Sequence, residues 1–295
     1  MNAISTLGFI GLGVMGMPIC RNIMQKSGLR ILVHEPRDEP REQLVAHGAI
    51  AAGTPADVSA EAEIVFMCLP GEPQLRAVVF GESGLLQSLR TGTALVDFST
   101  APVDLAREIA AALAPRCVDF ADAPIARTRQ AAEDGTLSIT VGAEPNVFAR
   151  IEPLLRHAAT DVTHCGPVGC GQVVKLMNNM VLVQTVIALS EARAIARRAG
   201  VAPTLLFEAL AKGSADSFAL RNHGMKAILP EKFPQRAFST DYAIKDISYA
   251  LRLAEQTGVA ARGAELARAT LETSRSVGNA DAYWPVLAHV IDGDG

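Results

Sequence analysis

The sequence predicts an α/β domain built on a parallel sheet, followed by an all-α domain. Three observations predict this class. In the first half of the chain, continuous apolar strands alternate with helical stretches, which is typical of a parallel sheet covered on both faces. From Gln172 onward the pattern is helical throughout. Between the two, four residues of the segment 165–171 are glycine or proline. We therefore expect domains at residues 1–166 and 167–295.

The elements of the first half follow from apolar runs that end at glycine, proline or polar residues. The predicted strands span residues 7–11, 30–34, 51–52, 63–69, 94–97, 117–121 and 137–141. The predicted helices span residues 18–27 and 41–47, and a third follows Pro102 and ends at Leu113. Connections between parallel strands should be right-handed crossovers.

The second half predicts a long apolar helix from 172 to about 199 and shorter helices at 204–212, 241–257 and 263–277. Gly200 and Gly258 follow two of these helices, where glycine commonly forms the C-cap. The long helix resembles a membrane span in composition. However, Lys175, Asn178, Asn179 and Gln184 interrupt it, and such groups are costly in a bilayer. We therefore expect a buried helix.

Composition excludes several classes of partner. The 295 residues carry a formal net charge of −4, and no basic stripe indicates binding to nucleic acid or to a membrane. The first 20 residues are uncharged but lack the basic start of a secretory signal. The five cysteines are scattered without a C-x-x-C pair or a Cys/His cluster. We expect reduced thiols in a cytoplasmic protein without a bound metal.

The most specific motif follows the first strand, where Gly11, Gly13 and Gly16 have the spacing G-x-G-x-x-G. The first glycine permits a tight turn, the second lets a pyrophosphate approach the backbone, and the third lets the following helix pack closely. The N–H groups at the start of that helix attract phosphate. The motif predicts a dinucleotide site, for which the candidate contacts are Gly11, Leu12, Gly13, Val14, Met15 and Gly16.

The second strand ends at a pair of opposite charges that bears on cofactor choice. Glu35 can accept hydrogen bonds from the ribose hydroxyls of NAD and would repel the 2′-phosphate of NADP. Arg37 could instead pair with that phosphate, and both residues could simply be solvated. We expect NAD as the cofactor, with NADP as the alternative.

Two further groups of side chains could carry chemistry. Arg127 offers a planar fork to a carboxylate, sulfonate or phosphate, and Thr128 adds a hydroxyl. The alternative for Arg127 is a surface pair with Glu133. Lys175 and Asn179 share one face of the long helix, where a desolvated lysine can exchange protons. Lys245 is a second candidate cation, although composition alone favours an ordinary surface charge.

The chain resembles the β-hydroxyacid dehydrogenase family, which includes 3-hydroxyisobutyrate dehydrogenase and tartronate semialdehyde reductase. The resemblance covers nearly the whole chain. It rests on the segments 8–18, 68–70, 97–100 and 171–179, and on Phe238 followed by Lys245 and Asp246.

The resemblance implies a Rossmann-like N-terminal domain and a helical C-terminal domain similar to that of 6-phosphogluconate dehydrogenase, with substrate bound between them. By motif position, Lys175 is the catalytic acid/base and Asn179 orients the substrate. Lys245 then lies near substrate and nicotinamide, and Leu69, Pro70 and Thr100 contact the cofactor. The resemblance also implies a homodimer or homotetramer.

One segment departs from the family pattern. The family usually has Ala-Pro-Val-Ser-Gly-Gly where this chain has Ala123 to Thr128, so a serine and two glycines are replaced by Ala126, Arg127 and Thr128. A similar Arg-Thr replacement is found in sulfolactaldehyde reductases. The substitution predicts that Arg127 binds the anionic group of the substrate.

These features together predict an NAD(P)-dependent oxidoreductase that interconverts a small anionic β-hydroxy acid and its semialdehyde or keto form. The alternatives are a reductase of sulfonate aldehydes and, from another class, a noncatalytic NAD(P)-binding module.

Overall fold

The computed structural model describes residues 4–235 and 237–293, and within them nine strands form one sheet. The strands are β1 (Thr6–Ile10), β2 (Arg30–His34), β3 (Ile50–Ala51), β4 (Ile64–Met67), β5 (Ala94–Asp97), β6 (Asp119–Asp122), β7 (Ile125–Ala126), β8 (Leu137–Gly142) and β9 (Ala159–Gly166). Their order is β3-β2-β1-β4-β5-β6-β8-β7, and β9 also pairs with β8. The strands from β3 to β6 in this order are mutually parallel, as predicted.

The remaining edge of the sheet differs from the prediction, because β8 runs antiparallel to both β6 and β7. The connection between β7 and β8 contains only the short helix α7 (Arg129–Asp134). A parallel pairing needs a crossover of a dozen or more residues, so this connection permits only an antiparallel return. The sheet is therefore mixed, and β9 lies parallel to β8.

Helices cover both faces of the sheet and bury two separate apolar layers. They are α1 (Gly16–Ser27), α2 (Asp38–Val45), α3 (Pro55–Glu61), α4 (Glu72–Phe80), α5 (Leu85–Ser88), α6 (Val103–Leu113), α7 and α8 (Pro145–Leu155). Successive strand residues point to opposite faces, so Phe9 joins one layer and Ile10 the other. Phe9, Phe66 and Phe98 pack together, with 5.3 Å between the ring centroids of Phe66 and Phe98.

The chain divides into two compact units, one ending at Lys175 and the other beginning at Leu176. The division falls within the long helix α9 (Cys170–Arg198). The second unit also contains α10 (Pro203–Leu210), α11 (Thr240–Thr257), α12 (Arg262–Ser274), α13 (Leu287–Asp292) and π-helical segments at Leu220–Ile228 and Arg275–Asn279. Its core surrounds the fully buried Trp284. Gly258 ends α11 in the left-handed conformation, as predicted.

The long helix is only partly buried, contrary to the sequence prediction. Val183 and Val186 lie in the core of the second unit, whereas Val181 and Ile195 are exposed. Among the described residues, α9 alone is long and apolar enough to cross a membrane by length and composition, and 39% of its most apolar window is buried in this chain. Arg193 is also buried on this helix and pairs with Asp292 of α13 at 3.2 Å.

Candidate active site

The glycine-rich turn between β1 and α1 has the geometry that the motif requires. Gly11 has a φ of +90°, and a Cβ on Gly16 would collide with the carbonyl oxygen of Gly11. A Cβ on Gly13, in contrast, would meet no atom within 4 Å. The turn is therefore tight at both ends and open in the middle, where a phosphate needs to approach the backbone. No acidic side chain lies in the first turn of α1 to oppose an anion.

Glu35 links the end of β2 to this turn. Its carboxylate accepts a hydrogen bond from the Leu12 N–H at 2.8 Å and one from Arg37 Nε at 2.8 Å. Burial acts to raise the pKa of Glu35, but the hydrogen bonds from Arg37 and from the Leu12 backbone hold this pKa below its ordinary value. Glu35 is 6% exposed, whereas the Arg37 side chain is 63% exposed. An ionised carboxylate beside the glycine-rich turn favours ribose hydroxyls over a 2′-phosphate.

The loops that follow β4 and β5 are joined by Ser99. The Leu69 N–H donates to Ser99 Oγ at 2.9 Å, and the Ser99 N–H donates to Asp97 Oδ1 at 2.9 Å. Parallel strands place their carboxyl ends at one edge of the sheet, which is where dinucleotides bind in such folds. The predicted cofactor contacts Leu69, Pro70 and Thr100 all lie in these two loops.

The start of α9 is bonded to the end of β6 and to the loop after β5. Asp122 accepts the Gly169 N–H at 2.6 Å and the Gln172 N–H at 2.7 Å. The Gln172 side chain in turn bonds the backbone of Ser99 and Ala101. Lys175 follows on the same helix and is half-buried. The acid/base candidate therefore lies on a helix whose start is bonded to the loop that contains the predicted cofactor contact Thr100.

The other two candidates on the helices meet through an aspartate. Asn179 Nδ2 donates to Asp246 Oδ2 at 2.7 Å, and Lys245 Nζ lies 3.3 Å from Asp246 Oδ1. The Lys245 ammonium also lies 5.0 Å from the ring centroid of Tyr242. Asn179 and Asp246 are almost fully buried. Asp246 thus orients both the amide and the ammonium.

The Arg127 guanidinium binds β9 and the residue that precedes β8, rather than Glu133. It donates to the Thr136 carbonyl oxygen at 2.6 Å, to Thr160 Oγ1 at 2.8 Å and to Asp161 at 2.5 Å. The alternative pairing with Glu133 is wrong, since that carboxylate pairs with Arg129.

The backbone of the same loop is unusual. Arg127 has a φ of +86°, a conformation that favours glycine. Its neighbour Thr128 accepts the Ala131 N–H as the N-cap of α7. Ala126, on the other side of Arg127, pairs with Ser138 in the sheet.

The predicted residues therefore form four groups of contacts. The first joins Glu35 to the glycine-rich turn, and the second joins the loops after β4 and β5 to the start of α9. The third joins Asn179 to Lys245, and the fourth surrounds Arg127. Within the described part of the chain, no group of three His, Cys, Asp or Glu side chains could hold a metal ion. All five cysteines are free thiols.

Four residues that make these contacts, Ser99, Asp122, Gln172 and Asp246, were not among the predicted site residues. Ser99, Gln172 and Asp246 belong to the motifs that carry the family resemblance, and Asp122 directly precedes the segment from Ala123 to Thr128. These positions were the available signal.

Comparison with known proteins identifies the family. The family model described as the NAD binding domain of 6-phosphogluconate dehydrogenase matches residues 6–166, which is more than half of the chain. This chain belongs to the β-hydroxyacid dehydrogenase family. A second model, described as NAD-binding of NADP-dependent 3-hydroxyisobutyrate dehydrogenase, matches residues 169–286. Family members are NAD(P)-dependent oxidoreductases, and this chain has their NAD(P)-binding domains.

Two relatives and one solved structure illustrate the likeness. The 2-(hydroxymethyl)glutarate dehydrogenase of Eubacterium barkeri is 32% identical over 92% of this chain and 90% of its own. The 2-hydroxy-3-oxopropionate reductase of Escherichia coli is 33% identical over 84% of both chains. The 3-hydroxyisobutyrate dehydrogenase of Mycobacterium tuberculosis, solved with L-serine, is 27% identical, with a TM-score of 0.87 over 98% of this chain and 99% of its own.

Proposed function

We propose that this protein is an NAD(P)-dependent oxidoreductase that interconverts a small anionic β-hydroxy acid and its semialdehyde or keto form. The observation that carries the proposal is the connection between Lys175 and the cofactor loops. The helix that bears Lys175 is tied through Gln172 to the loop that contains Thr100. The relatives, which are named for reactions of small hydroxy and oxo acids, support the same class.

Bound NAD(P) would supply the redox chemistry, because C4 of its nicotinamide accepts a hydride from the substrate in oxidation and returns it in reduction. Lys175 accepts the proton of the substrate hydroxyl during oxidation and returns it to the carbonyl oxygen during reduction. Its ammonium form also stabilises the negative charge that develops on that oxygen. Asn179, held by Asp246, orients the substrate, and Lys245 adds a positive charge beside it.

Arg127 and Thr128 bind the anionic group of the substrate in this proposal, together with the backbone at Ala126. The contacts of Arg127 with Thr136, Thr160 and Asp161 use both terminal nitrogens of the guanidinium. A guanidinium has five N–H groups, and these contacts use two on Nη1 and one on Nη2. The Nε–H and one N–H of Nη2 remain to bind a carboxylate or sulfonate.

NAD is the proposed cofactor, with NADP as the alternative, because the ionised Glu35 lies at the glycine-rich turn. The proposed cofactor contacts are Gly11, Leu12, Gly13, Val14, Met15, Gly16, Glu35, Leu69, Pro70, Thr100 and Lys245.

The proposal also includes a domain division between residues 166 and 167, a cytoplasmic location, and a homodimer or homotetramer. Exposed apolar side chains such as Val181 and Ile195 on α9 support self-association. Light scattering would measure the oligomeric state.

Replacing Lys175 tests the assignment directly. Lys175→Ala should lower kcat by about a thousandfold, since a positioned acid/base contributes roughly 10²–10⁴ to the rate. The Kd of NADH, followed by its fluorescence, should stay close to that of the wild type. The substrate for these assays would first be identified by screening hydroxyisobutyrate, glycerate, threonate and sulfolactate with NAD and NADP.

The matched control is Lys226→Ala, which removes an exposed lysine that bonds only Asn222 among its described contacts. This variant should keep its activity. If Lys175→Ala retained a kcat close to that of the wild type, the proposed role of Lys175 would be wrong.

A further inference from the structure

Two buried side chains determine where α9 begins, and neither has an assigned role. Asp122 and Gln172 are both fully buried. The Asp122 carboxylate accepts the N–H groups of Gly169 and Gln172 with its two oxygens. A Cβ on Gly171 would lie only 2.5 Å from the Thr140 carbonyl oxygen. The helix start is therefore held close to the sheet, with no room to slide toward it.

The Gln172 amide bonds the cofactor loop on both sides of Thr100. Its Nε2 donates to the Ser99 carbonyl oxygen at 2.7 Å, and its Oε1 accepts the Ala101 N–H at 3.1 Å. Both ends of the amide are thus matched to backbone groups of one short loop. A buried apolar side chain of similar volume could fill the same space but could not fix the register of helix and loop.

Ser99 extends the connection to the loop after β4, since its hydroxyl accepts the Leu69 N–H. A continuous series of hydrogen bonds therefore runs from Leu69 through Ser99 and Gln172 to Asp122. Lys175 lies three residues after Gln172, which is about 4.5 Å further along a helix that rises 1.5 Å per residue. Any movement of the helix start relative to these loops moves Lys175 by a similar distance.

We propose that Gln172, supported by Asp122, is a positioning residue that sets the distance between Lys175 and the cofactor loops. The inference rests on the proposed function, because it takes Lys175 as the acid/base. It goes further in assigning the alignment of that lysine to one amide and one carboxylate outside the substrate-binding set. Catalytic groups must be held within about 0.5 Å of their productive geometry, and a displacement of about 1 Å can cost about a hundredfold in rate.

Gln172→Met tests the proposal, because methionine has a similar length and makes neither hydrogen bond. We expect kcat to fall by about 10- to 100-fold, while KM and the Kd of NADH change by less than about threefold. The deuterium isotope effect on kcat with 4-deuterated NADH should rise, because the chemical step becomes slower relative to product release. Asp122→Asn, which is isosteric, should lower kcat in the same way.

Arg150→Met is the matched control. The Arg150 guanidinium also donates hydrogen bonds to two backbone carbonyl oxygens, those of Gly92 and Glu63. These two residues lie near the amino ends of β5 and β4, away from the proposed site. This variant should have a lower Tm without a comparable change in kcat or in the isotope effect, when both are measured below the temperature of thermal unfolding.

The proposal is overturned if Gln172→Met keeps kcat within about twofold of the wild type, or if its kcat and Tm losses match those of Arg150→Met. If Gln172→Met does not fold, Asp122→Asn decides by the same criteria. An inactive Lys175→Ala beside a fully active Gln172→Met would overturn this inference alone and leave the proposed function in place.

Discussion

Asp122 and Asp161 each hold a part of the proposed site, and they do so by opposite physical means. Asp122 is fully buried and accepts backbone N–H groups at the start of α9. Asp161 has a side chain that is 56% exposed and pairs with the Arg127 guanidinium. Burial raises the pKa of Asp122 to about 6. Hydrogen bonds from Thr160 and Arg127 instead lower the pKa of Asp161.

In the proposed site, this difference separates the part that holds the acid/base candidate Lys175 from the part proposed to bind the anionic group of the substrate. Buried hydrogen bonds to backbone groups define one geometry, since an unsatisfied partner would cost about 1–3 kcal/mol. Exposed ion pairs contribute little to stability, about 0–1 kcal/mol. The loop around Arg127 is thus held by contacts that can be replaced with little loss of stability. This loop is also the segment where the chain departs from the family pattern. Three experiments test the comparison.

The largest expected effect is the pH dependence of stability due to Asp122. Because its pKa is raised from 3.8 to about 6 on folding, the folded state binds this proton more tightly than the unfolded state. Its contribution is fully present below the unfolded pKa and is lost as the pH rises through the folded pKa. The shift corresponds to a loss of about 3 kcal/mol in the free energy of unfolding over this range.

Denaturant unfolding of the wild type and of Asp122→Asn between pH 4 and 7 measures this effect as the difference between the two proteins. Asp161→Asn is the opposite control. The pKa of Asp161 is lowered in the folded state, so its contribution should stay constant over this pH range and be lost only as the pH falls below its ordinary pKa. If the difference in the free energy of unfolding between the wild type and Asp122→Asn stayed constant or rose with pH, the proposed contrast between Asp122 and Asp161 would be wrong.

A smaller effect is expected at Arg127. Arg127→Ala should raise the KM for the anionic substrate by about tenfold or more, since hydrogen bonds to charged groups are worth about 1.5–3 kcal/mol. The Kd of NADH should stay unchanged, because the predicted cofactor contacts lie in other loops. Asp161→Asn should raise KM by less, through a less well-oriented guanidinium.

Arg129→Ala is the matched control for this experiment, because Arg129 is an exposed arginine two residues away that pairs with Glu133. It should leave KM unchanged. An unchanged KM in Arg127→Ala would show that Arg127 only holds its loop against β9 and does not bind the substrate.

The smallest effect is expected at Glu35, which combines both kinds of contact. Like Asp122 it is buried and accepts a backbone N–H, and like Asp161 it pairs with an exposed arginine. Glu35→Gln should raise the ratio of kcat/KM for NADP to that for NAD by about tenfold, because a phosphate no longer meets a carboxylate and Arg37 is released to bind it. Glu42→Gln, an exposed glutamate of α2, is the control. An unchanged ratio would place cofactor selection elsewhere.

The sequence predicted local features well where a short segment contains the whole cause. The bounds of β2 and β5 agree with the prediction, because both are apolar runs with clear ends. The glycine-rich turn is closely packed at Gly11 and Gly16 and open at Gly13, as the motif required. Elements without a strong apolar pattern were missed, however. Helix α3, which begins at a capping box formed by Thr54 and Asp57, buries only Val58 and Ser59. Strand β9 is an edge strand with exposed polar residues.

The sequence by itself determined the two-part fold class, the glycine-rich turn and the presence of Lys175 on a helix that follows a glycine cluster. The reason is that each depends on residues within one turn or one strand of each other. Only the tertiary structure decided which groups meet, because the partners of Gln172 are about 70 positions away in the chain and are backbone atoms that every residue possesses. The same holds for Arg127, whose contact with Asp161 depends on the pairing of β8 with β9.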